Sequence, residues 1–296
     1  KPNIFGALAA WSANVSQIVV AIRGLGRPFV KPQGVKERII FWLVHFLYGL
    51  SCRIASRVWF TNQSNRTYFV SNGIVRENKT FLTKNSVNLQ YFSMSQVKED
   101  TLDSIRSEIG VTKDEFVVIM VGRLVWMKGV REFAEAARIL GRKHHRIRCV
   151  LVGPIEEGSP NAVPEQYVRG LEERGDLLWL GYRKDVRELY AISNLAVLPS
   201  YYNEGGHPRA LLEPMALGKP VIAADTDDCR NPVEQGRNGY LVRPRDAEML
   251  AERIADLFSD QDKCERFGSH SLRIVQREYD DRIVVQQVLN ELGVRV

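Results

Sequence analysis

No run of apolar residues in this 296-residue chain reaches the roughly 18 that a membrane-crossing helix needs; the longest, residues 39–50 (IIFWLVHFLYGL), is about a dozen. Cysteine is sparse. Cys52, Cys149, Cys229 and Cys264 lie far apart without metal-ligand or redox spacing, which suits a reducing cytoplasm and no disulfide framework. There is no phosphate-binding G-x-x-x-x-G-K-[ST], no zinc pattern, no Ser-His-Asp order and no Cys-His pair. A G-x-G-x-x-G fingerprint is also missing, which argues against a dehydrogenase. Nor is there a basic stripe interleaved with aromatics, so no nucleic-acid partner is expected despite the formal charge of +6. With 45% hydrophobic and 26% charged residues the chain is globular, and its positive balance favours an anionic partner, either a phosphorylated substrate or an acidic membrane surface.

What is present centres on residues 198–220, LPSYYNEGGHPRALLEPMALGKP. An apolar run breaks into a Gly-Gly loop, Pro208 offers a pre-set first helical position, and Gly218 followed by Pro220 ends the helix. A helix starting behind a glycine loop aims unpaired N–H groups at its contents, which suits a phosphate. Glu204 in the loop and Glu213 in the helix flank that site, and carboxylates there suit the vicinal hydroxyls of a ribose or hexose. The reading is a nucleotide-sugar cradle.

From about residue 116 onward strand-like runs (116–121, 148–152, 177–180, 195–199, 220–224, 240–242) alternate with helical ones. In the first of these helices Val130, Phe133, Ala134, Ala137 and Leu140 share one face. The pattern predicts a doubly wound parallel α/β domain, with chemistry in the loops after its strands. Those loops carry Gly122-Arg123 with Lys128, Gly153, Gly181-Tyr182-Arg183, the Glu204 loop with His207, and Asp225-Thr226-Asp227-Asp228. Arg123 and Lys128 together can neutralise a diphosphate. The acids at 225–228 read better as loop caps than as metal ligands, so no metal is expected. Strands are also expected at 17–22, 57–61 and 79–83, with a tight Gly24-Leu25-Gly26 turn after the first. Lys31, Lys36, Arg38, Arg53 and Arg57 bracket residues 39–50, a segment that suits either an interfacial helix with Trp42 and Phe46 in an anionic membrane or a helix buried in its own domain. A composition shift at 107–115 sets the domain limits at 1–110, 111–278 and a terminal helix at 279–296 that packs back on the first domain.

At KPNIFGALAA, the GLG turn, VGRLVWMKG, LVGP, LWLGYRKDV, VLPSYYNEGGHPRALLEPMALGKPVIA and NGYLV the chain resembles the retaining glycosyltransferases of family four, most closely the bacterial O-antigen and capsule type. The resemblance implies the GT-B fold: two Rossmann-like doubly wound α/β domains facing a cleft, the first lacking about two βα units, roughly 60 residues, ahead of Lys1. It implies transfer of a hexose or N-acetylhexosamine from a UDP-sugar to a polyprenyl-diphosphate-linked saccharide, with an α bond formed, no cofactor and no metal. The enzyme would be cytoplasmic, on the inner face of the membrane. Carried onto this chain, Arg123 and Lys128 hold the diphosphate, Glu213 the ribose, and Glu204 with Gly205, Gly206, His207 and Pro208 the donor sugar. Gly181, Tyr182 and Arg183 border the base, and Gly24, Leu25 and Gly26 lie on the acceptor side. The chain departs from the family in having eight residues instead of seven between Glu204 and Glu213, Arg23 where many members carry histidine, and Asp228 where glycine is common. An epimerase of the same fold and a non-catalytic sugar-nucleotide or glycan-binding subunit stand as alternatives.

Overall fold

A computed structural model describes residues 2–25, 29, 32 and 34–294; Lys1, Gly26 and Lys31 of the segments above lie outside the described residues. The chain divides into two compact units, residues 1–85 with 203–207 and 282–296, and residues 86–202 with 208–281.

In the first unit a single π-helical turn, Pro2–Gly6, leads into α1 (Ala7–Ser12), followed by β1 (Val19–Ile22), α2 (Val35–Ile54), β2 (Arg57–Phe60), α3 (Gln63–Ser71) and β3 (Thr80–Leu82). The three strands form a parallel sheet in the order β1-β2-β3, Val19 pairing Arg57 and Val58 pairing Thr80. Val20, Ile22, Val58, Phe60 and Phe69 fill its core. Only part of α2 contributes: Ser51 and Cys52 are buried, while Val35, Ile39, Trp42, Leu43 and Phe46 lie exposed, Trp42 at 67% and Phe46 at 68%. Their spacing puts them on one stripe of the helix, which the described residues leave uncovered.

The second unit runs α4 (Glu99–Ile109), β4 (Phe116–Val121), α5 (Val130–Gly141), β5 (Ile147–Val152), α6 (Glu165–Glu173), β6 (Leu178–Trp179), α7 (Val186–Ile192), β7 (Leu195–Leu198), α8 (Arg209–Ala216), β8 (Val221–Ala224), β9 (Gly239–Val242), α9 (Ala247–Ser259) and α10 (Gln261–Glu278). Its six strands are parallel in the order β6-β5-β4-β7-β8-β9. Such strands are apolar on both faces because helices cover both. Along β4, Val117 and Ile119 join α4, α7, α8 and α10 in one core, while Phe116, Val118 and Met120 join α5, α6 and α9 in the other. Burial of each large aliphatic or aromatic side chain here contributes roughly 1.5–3 kcal/mol.

The division falls at Asn85/Ser86, not near residue 110. Leu102, Ile105 and Ile109 on one face of α4 are buried in the first of these two cores, so α4 belongs to the second unit although most of its residues are polar. The chain ends in α11 (Asp281–Glu291), most of which belongs to the first unit: the Gln17 side-chain amide donates to the Leu292 carbonyl at 2.9 Å, and Arg57 pairs with Glu291.

Gly129, the residue before α5, has φ +86°, and a Cβ there would lie 2.3 Å from the Pro199 carbonyl oxygen. Gly110, which ends α4, is also left-handed at φ +68° but faces open space. Gly129→Ala should therefore cost roughly 1–3 kcal/mol or more and Gly110→Ala only roughly 1 kcal/mol. Urea midpoints of the two variants check this, and equal losses would mean that the close approach to Pro199 contributes nothing.

Candidate functional site

In the six-stranded sheet the chain winds outward in both directions from the β4/β7 pair. Crossovers leaving neighbouring strands toward opposite sides open a crevice at the strands' carboxyl ends, the place where doubly wound sheets bind ligands. Backbone bonds tie the two loops together at this point: Tyr201 N–H donates to Met127 C=O at 2.9 Å, and the Ser200 hydroxyl reaches the same oxygen at 3.4 Å. Lys128 Nζ stands 5.7 Å from the centre of the Tyr202 ring.

Glycines line the neighbouring strand ends. Gly122 N–H donates to Val152 C=O at 2.9 Å and Gly153 N–H to Gly181 C=O at 2.8 Å. A Cβ on Gly153, at φ +145°, would fall 1.8 Å from the Gly122 carbonyl oxygen, so only glycine fits. The Trp179 indole N–H donates to Gly153 C=O at 3.0 Å and holds that loop from below.

Arg123 Nη1 lies 2.5 Å from Glu156 Oε1, on the loop after β5. Glu213 sits in the second turn of α8, whose N-cap is Pro208; the helix itself starts at Arg209. Pro214, inside this helix, has no N–H to give the Ala210 carbonyl, and the buried Tyr190 hydroxyl reaches that oxygen at 3.4 Å instead. Burial pushes the Glu213 carboxyl up to about 7, against the smaller opposing pull of Arg209, whose Nε lies 3.6 Å away.

Tyr182, beyond β6, is 69% exposed. Arg183 beside it is spoken for: its guanidinium bonds Asp185 and Glu108, and these bonds raise its proton affinity further. Of the three residues 181–183, Tyr182 is the exposed one. Asp225 and Asp227 share Arg230 at 2.8 and 4.0 Å. Among the described residues no group of three or more His, Cys, Asp or Glu side chains is placed to hold a metal ion.

The Gly-Gly loop, residues 203–207, groups with the first unit. Thr61 Oγ1 donates to Gly205 C=O at 2.7 Å, Asn85 Nδ2 to His207 C=O at 2.8 Å, and Gly205 N–H to Asn203 Oδ1 at 3.0 Å. A Cβ on Gly205 would lie 1.8 Å from the Arg23 carbonyl oxygen and 3.3 Å from Gly24 Cα; one on Gly206 would lie 2.4 Å from the Thr61 carbonyl oxygen. Within that unit, therefore, the Glu204 loop and the turn at Gly24 and Leu25 are neighbours. Arg123, Lys128, Gly181, Tyr182, Pro208 and Glu213 belong to the second unit. Sequence reasoning missed Thr61, Asn85, Glu156 and Trp179; each acts through a partner at least 26 residues away, which spacing cannot show.

A family model described as "Glycosyl transferases group 1" matches residues 103–272, more than half of the chain. The chain is 29% identical over 290 residues to the N,N'-diacetylbacillosaminyl-diphospho-undecaprenol alpha-1,3-N-acetylgalactosaminyltransferase of Campylobacter jejuni, covering 98% of this chain and 73% of that protein. It is 26% identical over 261 residues to the UDP-Gal:alpha-D-GlcNAc-diphosphoundecaprenol alpha-1,3-galactosyltransferase of Escherichia coli, covering 88% and 65%. The crystal structure of Anabaena Alr3699/HepE in complex with UDP and glucose superposes with a TM-score of 0.80 at 25% identity, covering 98% of this chain and 75% of that one. The fold class is GT-B, with two parallel α/β units.

The raised Glu213 carboxyl has a signed consequence for stability. A carboxyl whose folded pKa lies above its unfolded value holds its proton more tightly when folded, so its contribution is fully present below the ordinary 4.5 and is lost as pH rises to about 7. Relative to Glu213→Gln, the wild-type protein should lose stability across that window and level off above it. Denaturant midpoints of the two proteins, measured in steps from pH 4.5 to 8, check this; a constant difference would place the carboxyl in solvent.

Proposed function

From the premise that the chain belongs to the group 1 glycosyl transferases, we propose that it moves a hexose or N-acetylhexosamine from a UDP-sugar to a polyprenyl-diphosphate-linked saccharide during surface polysaccharide synthesis. The new bond is α, made with retention. The observation that carries the reading is the meeting, at the β4/β7 switch point, of the loop bearing Arg123 and Lys128 with the loop after β7. A UDP donor is supported by the UDP-bound Anabaena structure and by the name of the E. coli relative; both bacterial relatives are named for undecaprenyl-linked sugars.

In this reading Arg123 and Lys128 take the donor diphosphate, the Glu213 carboxylate accepts the ribose hydroxyls, and Gly181 with Tyr182 borders the base. Glu204 with residues 205–207 holds the sugar, and Gly24 and Leu25 lie on the acceptor side. As the glycosidic bond stretches, positive charge grows at the sugar carbon and negative charge on the diphosphate. The two cations stabilise the latter. A nucleotide diphosphate leaves as an anion, so no acid is needed to protonate it, and we assign no metal or cofactor to the step.

Membrane attachment is part of the same proposal. Among the described residues no helix is long and apolar enough to cross a membrane. The exposed stripe Ile39, Trp42, Leu43 and Phe46 on α2, with Lys36, Arg38 and Arg53 on the same helix, suits a peripheral position on the inner face of an anionic membrane.

UDP release from a UDP-sugar should require a short-chain lipid-diphosphate saccharide, and Lys128→Ala should lower it by on the order of 10²-fold or more while leaving the melting temperature in place. Turnover of the donor without acceptor would point to the epimerase, and unchanged turnover in the variant would remove Lys128 from the diphosphate. Replacing Trp42 and Phe46 together with serine should weaken sedimentation with anionic vesicles; vesicle binding equal to wild type would detach α2 from the membrane reading.

A further inference from the structure

Glu156 is held in place by its backbone. Leu124 N–H donates to Pro154 C=O at 2.9 Å, Trp126 N–H to Asn161 C=O at 2.9 Å and Val163 N–H to Leu124 C=O at 3.0 Å, so residues 154–163 lie stitched along residues 124–126. The same strip of chain carries Arg123, and the stitching delivers the Glu156 carboxylate to the Arg123 guanidinium. The two side chains are 48% and 35% exposed. An ion pair this open to water stabilises by about 0–1 kcal/mol at most. A diphosphate brings more charge and more acceptor oxygens to the same guanidinium fork, so it can take Arg123 from the carboxylate.

We propose that Glu156 is an internal competitor of the donor diphosphate, a specificity residue that neutralises Arg123 in the empty site, yields it when the diphosphate binds and recaptures it as the nucleotide product leaves. This rests on the reading that Arg123 holds the diphosphate. The competition acts only on ligands that use Arg123. It weakens the hold on UDP, so product leaves faster, and it leaves the nucleoside untouched.

The test is calorimetric binding of UDP and of uridine to the wild-type chain, Glu156→Gln, Arg123→Gln and the double variant, with melting curves to show that all four are folded. Glu156→Gln should bind UDP about two- to fivefold more tightly, the factor that an exposed ion pair supplies, with uridine affinity unchanged. In the Arg123→Gln background the Glu156 substitution should have no effect, since the pair is already broken. Inhibition by product UDP should tighten by the same factor in Glu156→Gln. Equal or weaker UDP binding by Glu156→Gln, with Arg123→Gln weakened, would overturn the proposal alone and make Glu156 a neutral or orienting partner of Arg123. If Arg123→Gln binds UDP as well as wild type, the diphosphate assignment falls and the competition with it. Should Glu156→Gln fail to fold, Glu156→Asp, one methylene shorter, should tighten UDP binding to a smaller degree, and no tightening there would also overturn the proposal.

Discussion

The approach of Gly129 to the Pro199 carbonyl is the constraint on which the candidate site depends. The loops leaving β4 and β7 diverge, because their crossovers run to opposite faces of the sheet. They can still touch where position 129 has no side chain and a left-handed backbone. That contact lets Tyr201 N–H reach the Met127 carbonyl and sets Lys128 beside the Tyr202 ring. It also starts α5 at the crevice, so the helix's first N–H groups face the end of the sheet. A bulkier backbone at either glycine, 129 or 153, would separate strand ends that now lie within hydrogen-bonding distance.

The charged groups of the second unit divide by burial. Arg123 is half exposed and keeps much of its hydration, so its pairing with Glu156 is cheap to exchange. Glu213 is largely desolvated, and Arg209 beside it at 3.6 Å does not restore what burial removes. One carboxylate therefore lies in water's reach on an exchangeable partner, the other is fixed in a helix and poised near neutrality. Arg183 shows the third case. Two carboxylates already satisfy its fork, and a diphosphate would have to outbid both.

The alternation of strands and helices beyond residue 116 was legible because a parallel strand covered on both faces must be apolar throughout, and a covering helix must repeat its apolar face every three to four residues. The same logic should have found α4. Leu102, Ile105 and Ile109 stand at that spacing, but the charged residues around them give the stretch up to residue 115 the composition of a linker, which masks the period. Residue types that suit a diphosphate were also legible, and in Arg123 they occupy the strand end that the topology marks. Arg183 carried the same signature and differs only in its partners, one of them 75 residues away. For α2, composition left two readings open because exposure depends on what packs beside a helix, which its own sequence does not contain.

The interval between Glu204 and Glu213 takes its shape from its two glycines. Gly205 at φ +73° and Gly206 at φ +126° both occupy backbone regions that disfavour side chains, and each faces a carbonyl of the first unit, Arg23 and Thr61, closer than any Cβ tolerates. The loop is bound there by bonds from Thr61 and Asn85 to its own carbonyls. Glu204 thus takes its place from that unit's backbone, while Glu213 takes its place from α8 and the Tyr190–Ala210 contact. Helical position fixes Glu213 regardless of how many residues precede Pro208. The glycine pair is what lets the loop approach the backbone that anchors it.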